Sequence, residues 1–164
     1  MPDPEQRLQT MIQVLRDHQY RITPQRLAIL RTLAESDGHP SVDAIYDQVR
    51  PNFPTTSLAT IYKNIAVLKE LDQVLELGFS DDSNRYDGNR PYDHPHVVCT
   101  VCKKIVDPDI TALEDMTQEL VRKTGFSVLR HRLDFFGICP DCQAASSERD
   151  AVDSGSHQTD KQPL

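Results

Sequence analysis

An α+β fold is what this 164-residue sequence predicts. Three observations point to it. Apolar residues recur at helical spacing as far as Leu71, and three of the helical runs follow a Thr or Ser able to cap them. Two short strand-like runs then flank a turn-rich segment. Beyond Pro91 the pattern changes to strands around paired cysteines, with one amphipathic helix among them.

In order along the chain, Leu8, Met11, Ile12 and Leu15 form the buried stripe of a first helix. Thr23-Pro24 starts a second, with Thr as N-cap and Pro at the first helical position. Leu27, Ile29, Leu30 and Leu33 give its inner face, and Asp37-Gly38 ends it. His39-Pro40-Ser41 is a turn whose serine can cap a short helix carrying Val42, Ile45, Tyr46 and Val49, stopped by Pro51 and Pro54. Ser57 can cap a fourth helix with Leu58, Ile61, Ile65, Leu68 and Leu71 inside. Residues 74–77 and 84–87 read as two strands around Ser80-Asp81-Asp82-Ser83. Helices followed by a hairpin is the plan of a winged helix-turn-helix, with the helix after Ser57 as recognition helix. Its exposed face would offer Ser57, Thr60, Tyr62, Lys63 and Asn64, a set suited to phosphate and base-edge hydrogen bonds. Winged helices also serve as protein-interaction modules, so the residues alone leave both uses open.

Farther on, residues 96–98 and 104–107 read as strands flanking the first cysteine pair. A helix over 111–124 carries Leu113, Met116, Leu120 and Val121 on one face, and Gly125 ends it. Residues 126–129 and 133–138 are expected as further strands. Few apolar residues serve this region as a core, which makes a metal staple and a partner surface both reasonable. From Gln143 the chain is rich in Ser, Asp and Gln, and 143–164 are expected to be a disordered tail.

Composition places limits on the function. Hydrophobic residues make up 38% and charged residues 26%, without an apolar run of membrane-spanning length, so no membrane partner is expected. The acidic start Met1-Pro2-Asp3-Pro4-Glu5 lacks the basic and apolar regions of a signal peptide, which implies a cytoplasmic protein. A net charge of −7 argues at first against nucleic acid. Its distribution matters more. Residues 1–78 hold eight Lys/Arg against ten Asp/Glu, and 79–164 hold ten against fifteen. The stretches 18–34 and 50–69 contain Arg21, Arg26, Arg31 and Arg50, Lys63, Lys69 with no acid, and can form a basic footprint on an acidic protein.

The densest chemistry lies at Asp93-His94-Pro95-His96-Val97-Val98-Cys99-Thr100-Val101-Cys102 and Asp107. Cys99, Cys102, Cys139 and Cys142 are the chain's four cysteines, in two Cys-x-x-Cys pairs. Four soft ligands with no open position favour a structural Zn(Cys)4 site. An iron–sulfur cluster and a redox pair compete, although a redox pair would not require the second Cys-x-x-Cys. His94 and His96, at i and i+2 on an extended segment, point the same way and could share one ion near Asp107 and Asp87. Imidazole and carboxylate donors suit Fe(II), Mn(II) or Zn(II).

The blocks Arg21-Ile22-Thr23-Pro24-Gln25-Arg26, His39-Pro40, Ala59-Thr60-Ile61-Tyr62, His94 to Cys99 with Cys102, and Ile105-Val106-Asp107 resemble the ferric uptake regulator (Fur) family. The resemblance covers about residues 8–142 in the right order. It implies a metal-dependent homodimeric repressor that binds palindromic operator DNA. In that arrangement residues 1–84 are a winged-helix DNA-binding domain, 85–92 a hinge, and 93–142 a metal-binding α/β dimerisation domain holding the Zn(Cys)4 site. The family's regulatory site, for Fe(II) or Mn(II), falls on His39, Asp87, His94, His96 and Asp107. Iron-sensing members often have Glu where this chain has Asp87 and Asp107, whereas the peroxide-sensing PerR branch has Asp, so the resemblance leans to PerR. In that branch Fe(II) reacts with hydrogen peroxide and a ligand histidine is oxidised, here His39 or His94, releasing the DNA. An iron- or zinc-responsive uptake regulator is the alternative within the family.

One position departs from the family's pattern. A further metal site in many members uses the residue between the two histidines and a later histidine. Pro95 cannot ligate, so no third site is expected and His131 is read as a structural or surface histidine. A zinc hydrolase using His94, His96 and Asp107 is the rival from another class. It lacks a nucleophile and a Gly-rich substrate loop, and it leaves the first half of the chain unexplained, so no enzyme is expected.

Overall fold

The computed structural model describes residues 3–36, 38–79, 82–110 and 112–146. The chain divides into two compact units, one running to His94 with Leu129–His131 added, the other comprising Pro95–Val128 and the chain from Arg132.

In the first unit the helices are α1 (Pro4–Asp17), α2 (Pro24–Glu35), α3 (Val42–Val49) and α4 (Leu58–Glu70). Each starts where a short polar side chain can satisfy an otherwise unbonded first-turn N–H. Thr23, Ser41 and Ser57 accept from the N–H groups of Arg26, Ala44 and Thr60, as their spacing predicts. Asp3-Pro4 does the same for α1, a start signal the apolar pattern did not reveal. The inward stripes meet in one core built around Leu8, Met11, Leu15, Ile29, Leu30, Leu33, Ile45, Ile61 and Leu68.

Strands β1 (Leu75–Phe79) and β2 (Asp82–Asp87) pair antiparallel as the wing, with Leu75 opposite Asp87. Lys69 and Glu76 form an ion pair between α4 and β1. The turn after β2 is clamped. Arg7, buried in α1, donates through Nε to the Gly88 carbonyl at 2.6 Å and through its Nη groups to Gln73. A Cβ at Gly88 would lie 2.8 Å from the Leu33 Cβ, so only glycine lets the chain pass so close to α2. Asp37, Ser80 and Asp81, expected in turns, lie outside the described residues.

The second unit holds β3 (His96–Cys99), β4 (Ile105–Val106), α5 (Ala112–Thr124) and β5 (Asp134–Gly137), in a sheet of order β4-β3-β5. β3 and β4 are antiparallel, while β3 and β5 are parallel with His96 beside Asp134 and Cys99 beside Gly137. Two expectations fail here. Residues 126–129 are not a strand: β3 has neighbours on both sides, and the sheet places no partner beside them to complete a ladder. Residues 140–146 are helical, so regular structure runs past Gln143, where a disordered tail was expected to begin. Residues 147–164 and Thr111 lie outside the described residues.

The α5 face carrying Met116, Leu120 and Val121 is exposed. One row across the sheet, Val106–Val97–Phe135, is likewise apolar and open. Among the described residues no helix is long and apolar enough to cross a membrane.

Candidate metal centres and nucleic-acid face

All four cysteines lie in the second unit as free thiols, their Sγ atoms within 4.8 Å of one another. The first pair sits in a tight turn leaving β3. Cys99 donates its N–H to the Lys104 carbonyl, and Lys103, in the left-handed region at φ 63°, returns its own N–H to Cys99. The second pair follows β5, with the Cys139 N–H donated to Cys99 Sγ at 3.3 Å and Cys102 Sγ 3.6 Å from Cys139 Sγ. Tetrahedral zinc with bonds near 2.3 Å requires sulfurs roughly 3.8 Å apart, so the cluster fits that ion.

Electrostatics agree with a cation here. Backbone N–H groups, that of Cys139 first, bring the Cys99 thiol down to about 6. Hydrogen bonds with Cys139 and Cys102 push Cys142 up to about 12. Four crowded sulfurs cannot all ionise without a dication to neutralise them.

The histidine and aspartate set is divided between the units. In the first, the Pro40 carbonyl accepts from the Tyr86 N–H at 3.0 Å and Ser41 bridges to Arg85, which draws the turn before α3 along β2. His39 is thereby set beside Asp87, with Nε2 3.5 Å from Asp87 Oδ2. His94 Nε2 approaches the same oxygen at 3.4 Å. All three side chains are buried.

The two oxygens of Asp87 have separate tasks. Oδ1 accepts from the N–H groups of Asn89 and Arg90 at 2.7 and 2.9 Å, fixing the turn, and Oδ2 faces the imidazoles. Burial pushes this carboxyl up, but the His39 contact and the two backbone N–H groups outweigh it and hold it below its ordinary value. His94 Nδ1 lies 2.7 Å from the Tyr92 carbonyl, which only accepts, so Nδ1 carries the proton and Nε2 keeps the lone pair a metal needs.

In the second unit His96 has Nε2 3.9 Å from Asp107 Oδ1 and Nδ1 3.4 Å from Asp134 Oδ1. Asp134, also held by Arg132 at 2.5 Å, escaped the sequence reading. An acid inside the apolar run Leu133 to Ile138 was the available signal. His131 donates its backbone N–H to Asp93 at 3.0 Å.

Of the proposed DNA-contacting residues, Tyr62 and Lys63 stand exposed on α4. Ser57 and Thr60 share a hydrogen bond at 3.0 Å at its start. Asn64 corrects the expectation of an exposed residue. It is buried, its Oδ1 accepting from Arg26 Nε at 2.7 Å and its Nδ2 donating to the Thr60 carbonyl. One turn after Thr60 it faces α2 rather than solvent.

Residues 17–136 match the ferric uptake regulator family. The chain belongs to that family. It is 43% identical over 139 residues to the peroxide-responsive repressor PerR of Staphylococcus saprophyticus, an alignment covering 85% of this chain and 93% of the relative. Among solved structures, the peroxide stress regulator of Campylobacter jejuni superposes with a TM-score of 0.65 at 33% identity, over 80% of this chain and 98% of that one. The Helicobacter pylori ferric uptake regulator, for which three functional metal-binding sites are described, superposes with a TM-score of 0.74 over 86% of this chain and 94% of its own. At 23% identity it speaks to the fold alone. Within the family this chain is most like the PerR branch, and the family consists of transcriptional regulators, not enzymes.

Proposed function

We propose that the protein is a metal-dependent dimeric transcriptional repressor that senses hydrogen peroxide through oxidation of a ligand histidine. The observation that carries this reading is the buried meeting of His39 and His94 on one oxygen of Asp87. Two imidazoles and a carboxylate converging away from water form a site in need of a cation. His96 and Asp107 supply two more donors of the same chemistry. Only Pro95 separates His94 from His96, and two residues of chain span at most roughly 7 Å, so connectivity lets both sets serve one ion.

On this reading residues 1–84 are the DNA-binding domain, 85–92 the hinge and 93–142 the metal-binding dimerisation domain. Cys99, Cys102, Cys139 and Cys142 hold structural zinc. His39, Asp87, His94, His96 and Asp107 hold Fe(II) or Mn(II). Bound iron(II) would direct the two-electron oxidant hydrogen peroxide onto a histidine ring, which gains one oxygen atom while water leaves. The residues do the rest: Asp87 orients both candidate rings, His39 and His94, and the clamp on Gly88 ties Asp87 to α1 and α2. Losing a ligand there would loosen the piece of chain that leads out of the DNA-binding domain.

Dimerisation is supported by the open faces of the second unit. Met116, Leu120, Val121, Phe135 and Phe136 are apolar, exposed and close in sequence to the zinc staple, and an isologous contact between two copies would cover them. A two-fold pair of α4 helices then suits a palindrome.

The chemistry has a direct test. Asp107→Glu, one methylene longer, should retain metal-stimulated DNA binding and blunt the response to peroxide; unchanged sensitivity would count against peroxide sensing. For the DNA face, Lys63→Ala should weaken binding by a similar factor on all duplexes and make its salt dependence shallower by about one phosphate's worth. Unaltered binding in a filter or anisotropy assay would displace α4 as the reading helix.

A further inference from the structure

A cleft in the first unit, about 280 Å³ in volume, lies where the starts of α2 and α4 come together. Its lining includes Thr23, Arg26, Thr55, Thr56, Thr60 and Lys63; every lining residue is polar and none is acidic. Three features mark it for an anion. The helices α2 and α4, twelve and thirteen residues long, bring the positive ends of two helix dipoles near it. Its cations are uncompensated, since among the described residues neither Arg26 nor Lys63 pairs with a carboxylate. Arg26 is held instead by neutral groups, the Asn64 amide, the Arg21 carbonyl and the face of Tyr20.

The third feature is Thr56. It is 5% exposed, it lines the cleft, and its Oγ1 has no hydrogen-bond partner. A buried hydroxyl without a partner is costly, and folded proteins rarely leave one so. Turned toward the cleft about its Cα–Cβ bond, the hydroxyl would donate to a tetrahedral oxyanion there.

We propose that this cleft seats one backbone phosphate of the bound DNA, with Thr56 as a donor to it and Arg26 and Lys63 as its cations. The proposal rests on the DNA-binding reading and adds to it a second anchor beside the exposed face of α4. Tyr62 reaches outward from α4, while the cleft grips the strand alongside and sets the register of the helix. Asn64 finds its purpose here as well, because its amide holds Arg26 in place.

Thr56→Val tests this in the full-length, metal-loaded chain. Because the hydroxyl has no partner in the folded protein, its loss should leave Tm unchanged or raise it. Inorganic phosphate, titrated into the zinc-loaded protein, should shift the backbone amide resonances of Thr56 and Arg26 saturably, and a duplex selected by the manganese-loaded wild type should reverse those shifts. In the variant the phosphate response should vanish. Its duplex affinity should fall about tenfold, the scale of one hydrogen bond to a charged acceptor, with an unchanged salt slope because threonine carries no charge. Wild-type behaviour of the variant toward both phosphate and duplex would overturn the proposal. Phosphate shifts that the duplex does not reverse would assign the cleft to free phosphate and overturn the DNA source. If the wild type held no duplex under any metal loading, the DNA-binding reading itself would fall, and the phosphate titration would still decide whether the cleft takes an anion.

Discussion

The Cys139→Ser chain should come off purification without zinc, as a monomer whose second unit is unfolded. Burial alone cannot hold that unit together. Among its described residues only Pro95, Val98, Cys99 and Ile105 are buried and apolar. At about 1.5–3 kcal/mol for each large side chain, they make a small core for a unit of this length. A tetrathiolate zinc, with about 10–16 kcal/mol of binding free energy in small domains, is the largest single contribution. Removing one sulfur leaves three crowded thiols with an unfilled fourth position, and the turn after β3 loses the Cys102–Cys139 sulfur contact with the end of β5. Metal analysis and sedimentation velocity on the purified variant would show this. A stable, zinc-free dimer would refute the structural role.

Asp87→Asn should separate the scaffold from the switch. The amide oxygen can still accept from Asn89 and Arg90, so the turn and the overall stability should change little. The other atom becomes an NH2 where an anionic oxygen faced His39 and His94. An amide nitrogen cannot ligate, and its hydrogens point at the ring nitrogens that should. Mn(II) affinity should fall by about 100-fold or more, comparable with or beyond the loss of an outer-sphere partner of a metal site. DNA binding should then no longer respond to added metal. Calorimetric titration of manganese, with Tm as the control for folding, reads both effects. Affinity within a few-fold of wild type would remove Asp87 from the ligand set.

The sequence made the local decisions legible. Thr23, Ser41 and Ser57 sit three residues before the N–H groups they cap, and that relation depends on nothing farther along the chain. The winged-helix order followed from these starts and from the apolar stripes. The four cysteines were legible for the same reason, since two short spacings imply two turns that can share a metal.

What escaped depends on long-range register. Asp134 meets His96 only because β5 lies parallel to β3 in one alignment, across nearly forty residues of chain. His39 meets Asp87 through the Pro40–Tyr86 hydrogen bond, which no pattern near His39 announces; only the family resemblance placed them together. Asn64 was misjudged because polarity on a helix does not tell solvent from a buried partner, and its partner Arg26 lies on another helix. Residues 126–129 have the composition of a strand but no neighbouring strand among the described residues. Composition cannot supply a partner.

On the proposed reading, iron at the His39–Asp87–His94 cluster makes the protein a peroxide sensor. The most direct measurement is DNA binding by Fe(II)-loaded and Mn(II)-loaded protein, before and after hydrogen peroxide, with mass spectrometry of the peptides containing His39 and His94. The iron form should lose its DNA and gain one oxygen atom on one of those peptides, while the manganese form keeps both its DNA and its mass. Loss of DNA without added oxygen on either histidine, or equal oxidation of both metal forms, would contradict the account.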